Sequence, residues 1–214
     1  MRNIIPFAPL LLPDIATVRL KAKALAMLEA IVSPDWEYRY YSFDAHWGDG
    51  EEMASMRNGS GDDCFLLFGS FGAAIKGFAH DASDACNNDL AAAVRIQLPQ
   101  AFASFLNEPA FSMHSVSYCY WSRTEDPGWH KVACANCVST GVDDGSSKLA
   151  VLCEPAASYV AFANEYYEIE LPLSSVQRIY EHGLLTEELV KALNPGLDFA
   201  EARKFAAEIG YPCV

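Results

Sequence analysis

Apolar residues recur at spacings of three and four near the start of the chain: Ile15, Val18, Ala22, Leu25 and Leu28 share one side of a helix. Asp14 is a plausible N-cap and Ser33-Pro34-Asp35 a stop, so the pattern predicts a helix from Asp14 to about Val32. The period then drops to two. Trp36 to Phe43 is aromatic-rich, with Glu37 and Arg39 set between Trp36, Tyr38 and Tyr40, and reads as a strand. A loop from Asp44 to Gly50 follows. Glu52–Arg57, Cys64–Phe68 and Ala73–Phe78 read as three more strands, separated by turns at 58–63 and 69–72. Residues 80–98 are irregular, with a short helix near Leu90 to Val94, and Pro99–Leu106 is a short helix. Met113–Trp121 alternates again, and Trp129–Val138 and Lys148–Cys153 read as further strands. Helical periodicity returns for Ala156–Glu168, Ser174–Glu181 and Thr186–Leu193. The last helix starts at Asp198 with Glu201 three residues on and stops at Gly210.

The order helix, strands, helices predicts an α+β fold: an N-terminal helix, a central antiparallel meander sheet and a C-terminal helical segment packed on it. We read residues 1–214 as one domain, helix plus sheet over 1–155 and helices over 156–214. The length is enough to bury a sizeable core.

Charge narrows the function classes. The 28 Asp and Glu exceed the 15 Lys and Arg by 13, and the sequence pI is near 4.7. That argues against nucleic acid, which needs a basic footprint, and against anionic membranes. No uncharged apolar run reaches the length of a membrane span. A cleaved leader is not expected, because the small-residue site Ala24-Leu25-Ala26 lies beyond Asp14, Arg19, Lys21 and Lys23. The seven cysteines are odd in number, and Cys64, Cys119 and Cys153 sit in strand-like apolar contexts. A reducing, cytoplasmic location is the expectation.

Three groups of residues could carry chemistry. The stretch His130 to Cys137 holds a Cys-x-x-Cys pair, and Cys134, Cys137 and His130 could supply three zinc ligands; a lone pair of this kind is more often core or edge-strand cysteine. The acidic run Asp44 to Glu52, with His46, could hold a hard cation, although solvated hairpin loops look the same. In an up-and-down meander alternate turns lie at one end of the sheet. Asp62 and Asp63 would then approach His80 and Asp81, with Arg57 nearby, and a His beside a carboxylate suits a general base. The bland alternative is a set of hairpin-end charges that keep the sheet edge soluble. Phosphate-loop, dinucleotide, zinc-protease and esterase motifs are absent, and no cofactor is expected.

Asp35 to Asp63 holds eight acids and two bases, a local charge of 2 − 8 = −6. Trp36, Tyr38, Tyr40 and Trp47 interleave with Asp49, Glu51 and Glu52 there. Aromatics with a one-signed rim suit a surface that captures a basic protein, unless the aromatics face the core.

Three stretches carry a resemblance: Met53 to Asp62, Ile75-Lys76-Gly77-Phe78, and Leu98-Pro99-Gln100-Ala101-Phe102 with Phe105-Leu106. Together they resemble a family of uncharacterised bacterial cytoplasmic proteins with no established activity, so no catalytic residue transfers. The Leu-Pro-x-x-Phe-x-x-Phe-Leu run is loosely similar to one in immunity proteins of the yeast cell-wall-regulator-like superfamily. The absence of catalytic signatures together with the strong negative charge leads us to expect a non-enzymatic cytoplasmic binding protein, immunity-like, that neutralises a basic toxin or nuclease. The alternative is a hydrolase or metal-dependent enzyme using a His/carboxylate cluster.

Overall fold

A computed structural model describes residues 11–82, 87–134 and 143–214. Helix α1 spans Ile15–Val32 and begins where expected, because the Asp14 carboxylate takes the Thr17 N–H and Thr17 hydroxyl at 2.9 Å each. Among the described residues six strands follow: β1 (Tyr41–Gly48), β2 (Glu51–Arg57), β3 (Asp63–Gly69), β4 (Gly72–Phe78), β5 (Tyr118–Arg123) and β6 (His130–Lys131). They form one antiparallel sheet in sequence order, a meander as the turn spacing predicts. Between β4 and β5 lie α2 (Asn87–Gln97) and α3 (Ala103–Asn107). After β6 come α4 (Ala156–Tyr167), α5 (Leu173–Tyr180), α6 (Glu187–Leu193) and α7 (Phe199–Ile209).

The sheet is buried on both faces, and strand alternation divides its side chains between two cores. In β3, Cys64, Leu66 and Phe68 meet α1 and the C-terminal helices, whereas Phe65 and Leu67 meet the layer built by α2, α3 and Phe111. The architecture is therefore three layers, with α1 and α4–α7 on one side and α2–α3 on the other. Both faces being covered explains why β3 reads as a continuous apolar run rather than an alternation.

Several predicted elements take a different form. Trp36–Tyr38 is a 3-10 turn, and the first strand starts only at Tyr41. Arg39 causes this locally: its guanidinium turns back to the Ser33 and Pro34 carbonyls at 3.1 and 2.6 Å and holds the chain in a turn. The expected loop from Asp44 shrinks to Asp49-Gly50, because Asp-Gly with Gly50 at φ 71° closes a two-residue hairpin. The expected strand Lys148–Cys153 is instead the latter part of a 3-10 segment, Ser146–Leu152, with Cys153 as its C-cap, so its short apolar run is helical in kind. Met113–Trp121 is strand only from Tyr118, since Ser112 at φ 48° and the Ser115 N–H to Ser112 O bond make a turn first. Of the Trp129–Val138 strand, only His130–Lys131 pairs among the described residues. Lys76, fully buried, ion-pairs with Asp63 at 2.6 Å.

Candidate functional site

The turn before β1 leaves two large aromatics in solvent. Trp36 is 51% exposed and Tyr38 67%. Beside them α4 ends with Tyr166, 48% exposed, and Tyr167. The connection is direct. The Tyr167 hydroxyl lies 3.4 Å from the Tyr38 carbonyl, and the Tyr40 ring packs edge-on against Tyr166 and Phe162 at 5.4 and 5.1 Å. Arg57, at the end of β2, donates its N–H to the Tyr40 carbonyl at 2.9 Å and lays its guanidinium 4.3 Å from the Trp36 ring centre.

A buried carboxylate anchors this aromatic platform from below. Glu29, on α1, is 0% exposed. One of its oxygens accepts from Tyr159 Oη at 2.8 Å; the other accepts from the Tyr40 N–H at 2.7 Å and Tyr167 Oη at 2.6 Å. Burial pushes its pKa above the ordinary 4.5, against the three donors. The same low-dielectric site pushes the Tyr159 and Tyr167 hydroxyls upward, burial first and the Glu29 charge next. Both tyrosines therefore stay neutral donors.

The platform is strongly acidic. Segments 35–40 and 163–170 carry Asp35, Glu37, Glu165, Glu168 and Glu170 against Arg39, and with Arg57 resting on Trp36 the local charge is 2 − 5 = −3. Those five acids are exposed, while Arg39 is buried with its guanidinium on backbone carbonyls and the Phe205 ring.

The same end of the sheet holds the predicted histidine cluster. Asp62, 4% exposed, accepts from the His80 N–H at 2.8 Å, His80 Nδ1 at 2.7 Å and Asn58 Nδ2 at 2.8 Å, and ion-pairs with Lys148. His80 Nε2 faces Asp81 at 3.0 Å. Asp62, His80 and Asp81 thus converge as the meander topology predicts. Asp63 does not: β3 alternation turns it to the opposite face, onto Lys76. Lys148 was not predicted, because 86 residues separate it from Asp62. Carboxylates occupy both ring nitrogens of His80, and among the described residues no hydroxyl or thiol bonds to it. The nitrogen a general base would present to substrate is thus occupied.

The other predicted binding residues scatter. Tyr40 packs inward among aromatics. Trp47 stacks on Phe111 at 6.1 Å, because the β1 register shifts between Asp44 and Gly48 and seats it against the α2–α3 core. Asp49, Glu51 and Glu52 lie at the other end of the β1–β2 hairpin, where Gly48, opposite Glu51, is roughly 24 Å from Tyr41 at about 3.4 Å per residue. Glu52 there ion-pairs with Lys23 at 2.7 Å and Arg19 at 3.4 Å, beside an open cleft of about 580 Å³. The single surface expected over 35–63 is therefore split between two ends of the sheet.

His130 does not join Cys134. Its ring stacks on Trp121 at 4.4 Å and Nε2 meets Asp126 at 3.1 Å. Cys137 and Cys86 lie outside the described residues. Among the described residues no group of His, Cys, Asp or Glu is arranged to hold a metal, and five cysteines are free thiols. Burial raises the Cys64 thiol to about 12, so it behaves as a core residue. No helix among the described residues is long and apolar enough to cross a membrane.

No protein-family model, curated protein or solved structure matches the chain. The platform and the histidine cluster therefore stand on their own geometry.

Proposed function

We propose that this protein is a non-enzymatic binding protein whose aromatic platform captures a basic segment of another protein. One observation carries the reading: Trp36, Tyr38 and Tyr166 stay exposed while Glu29, Tyr40 and Tyr167 beneath them are locked by hydrogen bonds. Large aromatics held rigid in water supply contact area at little entropic cost on binding. Five flanking carboxylates supply complementary charge, which steers a cationic partner and selects against acidic ones. A basic toxin or nuclease is the partner class that both the charge and the immunity-type resemblance favour.

The test is the affinity of a fluorescent arginine-rich peptide, with an acidic peptide of equal length as control. Wild type binds the first and not the second, and binding weakens with salt. The Trp36→Ala/Tyr38→Ala variant keeps every charge and loses about tenfold or more in affinity, as hot-spot aromatics do. Equal affinity of variant and wild type means that net charge alone attracts the peptide, and the proposal fails.

The Asp62–His80 contact favours a second reading, in which Nε2 activates water once Asp81 swings aside. Hydrolysis of activated esters tests it. Asp81→Ala should raise the rate and His80→Ala abolish it; a rate unchanged in both variants disposes of this reading.

A further inference from the structure

Arg57 shows what the platform accepts. Its guanidinium lies 4.3 Å from the Trp36 ring centre, a stacked cation–π distance. Among the described residues no carboxylate ion-pairs with Arg57, although Asp35 and Glu37 flank the ring in sequence. The turn does not depend on it. Its backbone closes through the Tyr38 N–H to Asp35 O bond at 3.1 Å and the Arg39 N–H to Trp36 O bond at 3.3 Å, and Arg39 pins it to Ser33 and Pro34. Even with Arg57 in place, Trp36 remains about half exposed. A cation that rests on an exposed indole without an ion pair can be exchanged for another cation of the same shape.

We propose that Trp36 is the receptor for an arginine side chain of the partner, and that Arg57 holds that place in the free protein. This rests on the basic-segment reading above and adds the identity of the anchoring side chain. A planar guanidinium stacks on an indole more readily than a strongly hydrated ammonium, so arginine is favoured over lysine. The incoming arginine displaces Arg57 and meets the carboxylates of Asp35 and Glu37, which lie on the same turn.

The experiment compares an arginine-rich with a lysine-rich peptide of equal length and charge. Binding is measured to wild type, Arg57→Ala and Arg95→Ala. Arg95 is exposed on α2, in the layer across the sheet, so its loss controls for the change in net charge. The inference predicts that Arg57→Ala tightens the arginine peptide about two- to fivefold more than Arg95→Ala does, the range of one exposed cation–π contact. It also predicts a smaller gain for the lysine peptide, and no Arg57 effect once Trp36 is alanine. An Arg57→Ala affinity equal to that of Arg95→Ala, or weaker than wild type, overturns the arginine exchange and leaves the basic-segment reading standing. Failure of wild type to bind either peptide at low salt overturns both.

Discussion

Replacing Glu29 perturbs the anchor without touching the exposed surface. The side chain is fully buried, and its two oxygens serve three donors: the Tyr40 N–H and Tyr167 Oη on one, Tyr159 Oη on the other. In Glu29→Gln the amide oxygen must take the position shared by two donors. Its nitrogen then faces Tyr159, which has to accept instead of donate, and the second amide hydrogen has no acceptor. One unsatisfied buried donor costs about 1–3 kcal/mol. Glu29→Ala strands all three donors and opens a void, and should cost more, about 3–5 kcal/mol. Denaturant unfolding near neutral pH measures both, with a shifted midpoint at constant slope as the sign of a pure stability change. The pH dependence has a definite sign. Burial holds the folded pKa above the ordinary 4.5, so the folded state binds this proton more tightly than the unfolded chain. The contribution is then full below about pH 4.5 and is lost as pH rises through the raised folded value. The stability advantage of wild type over Glu29→Gln should therefore shrink as pH rises through that window. An advantage that grows with pH would mean that the three donors outweigh burial. Equal stability of the Gln and Ala variants would refute the donor accounting altogether.

Three further outcomes follow from packing and charge. Asp62→Ala removes the acceptor of His80, Asn58 and the Lys148 ion pair; because Lys148 and His80 are partly exposed, it should lower stability by about 1–3 kcal/mol in the same assay, with Asp62→Asn losing less. Gly77→Ala would drive a Cβ into the Tyr118 ring and should cost about 1–3 kcal/mol, whereas Gly128→Ala, with open space around it, should stay within about 0.5 kcal/mol. Chelator treatment should leave the thermal midpoint unchanged, because His130 is engaged by Trp121 and Asp126 rather than by Cys134; a drop of several degrees would restore a zinc site.

The parts of the fold that were legible are those set by local period. The i, i+3, i+4 stripe of α1, the Asp-Gly and Asn-Gly turns and the capping pattern at Asp198 all act within a few residues. Meander topology then brought Asp62 to His80, since alternate turns share an end. Segments where a distant or local polar contact overrides the period were misread. Arg39 curls residues 36–38 into a turn, and the apolar run at 148–153 satisfies its backbone in 3-10 form. The anchor left one unused signal. Glu29 stands four residues after Leu25, on the apolar stripe of α1, and a carboxylate there must find buried donors. Tyr159 and Tyr167 supply them from 130 and 138 residues away, a pairing that no local pattern encodes.

The central claim is that the basic partner meets the Trp36–Tyr38–Tyr166 platform and not the acidic far end of the sheet. The chain has four tryptophans, and Trp36 and Trp47 mark the two ends of that region. Their indole N–H signals, followed by heteronuclear NMR while an arginine-rich peptide is titrated, report directly on which end is engaged. The account predicts a saturating shift at Trp36 with Trp47 unmoved. A shift at Trp47 with Trp36 unmoved would contradict it and move the binding surface to the far end of the sheet.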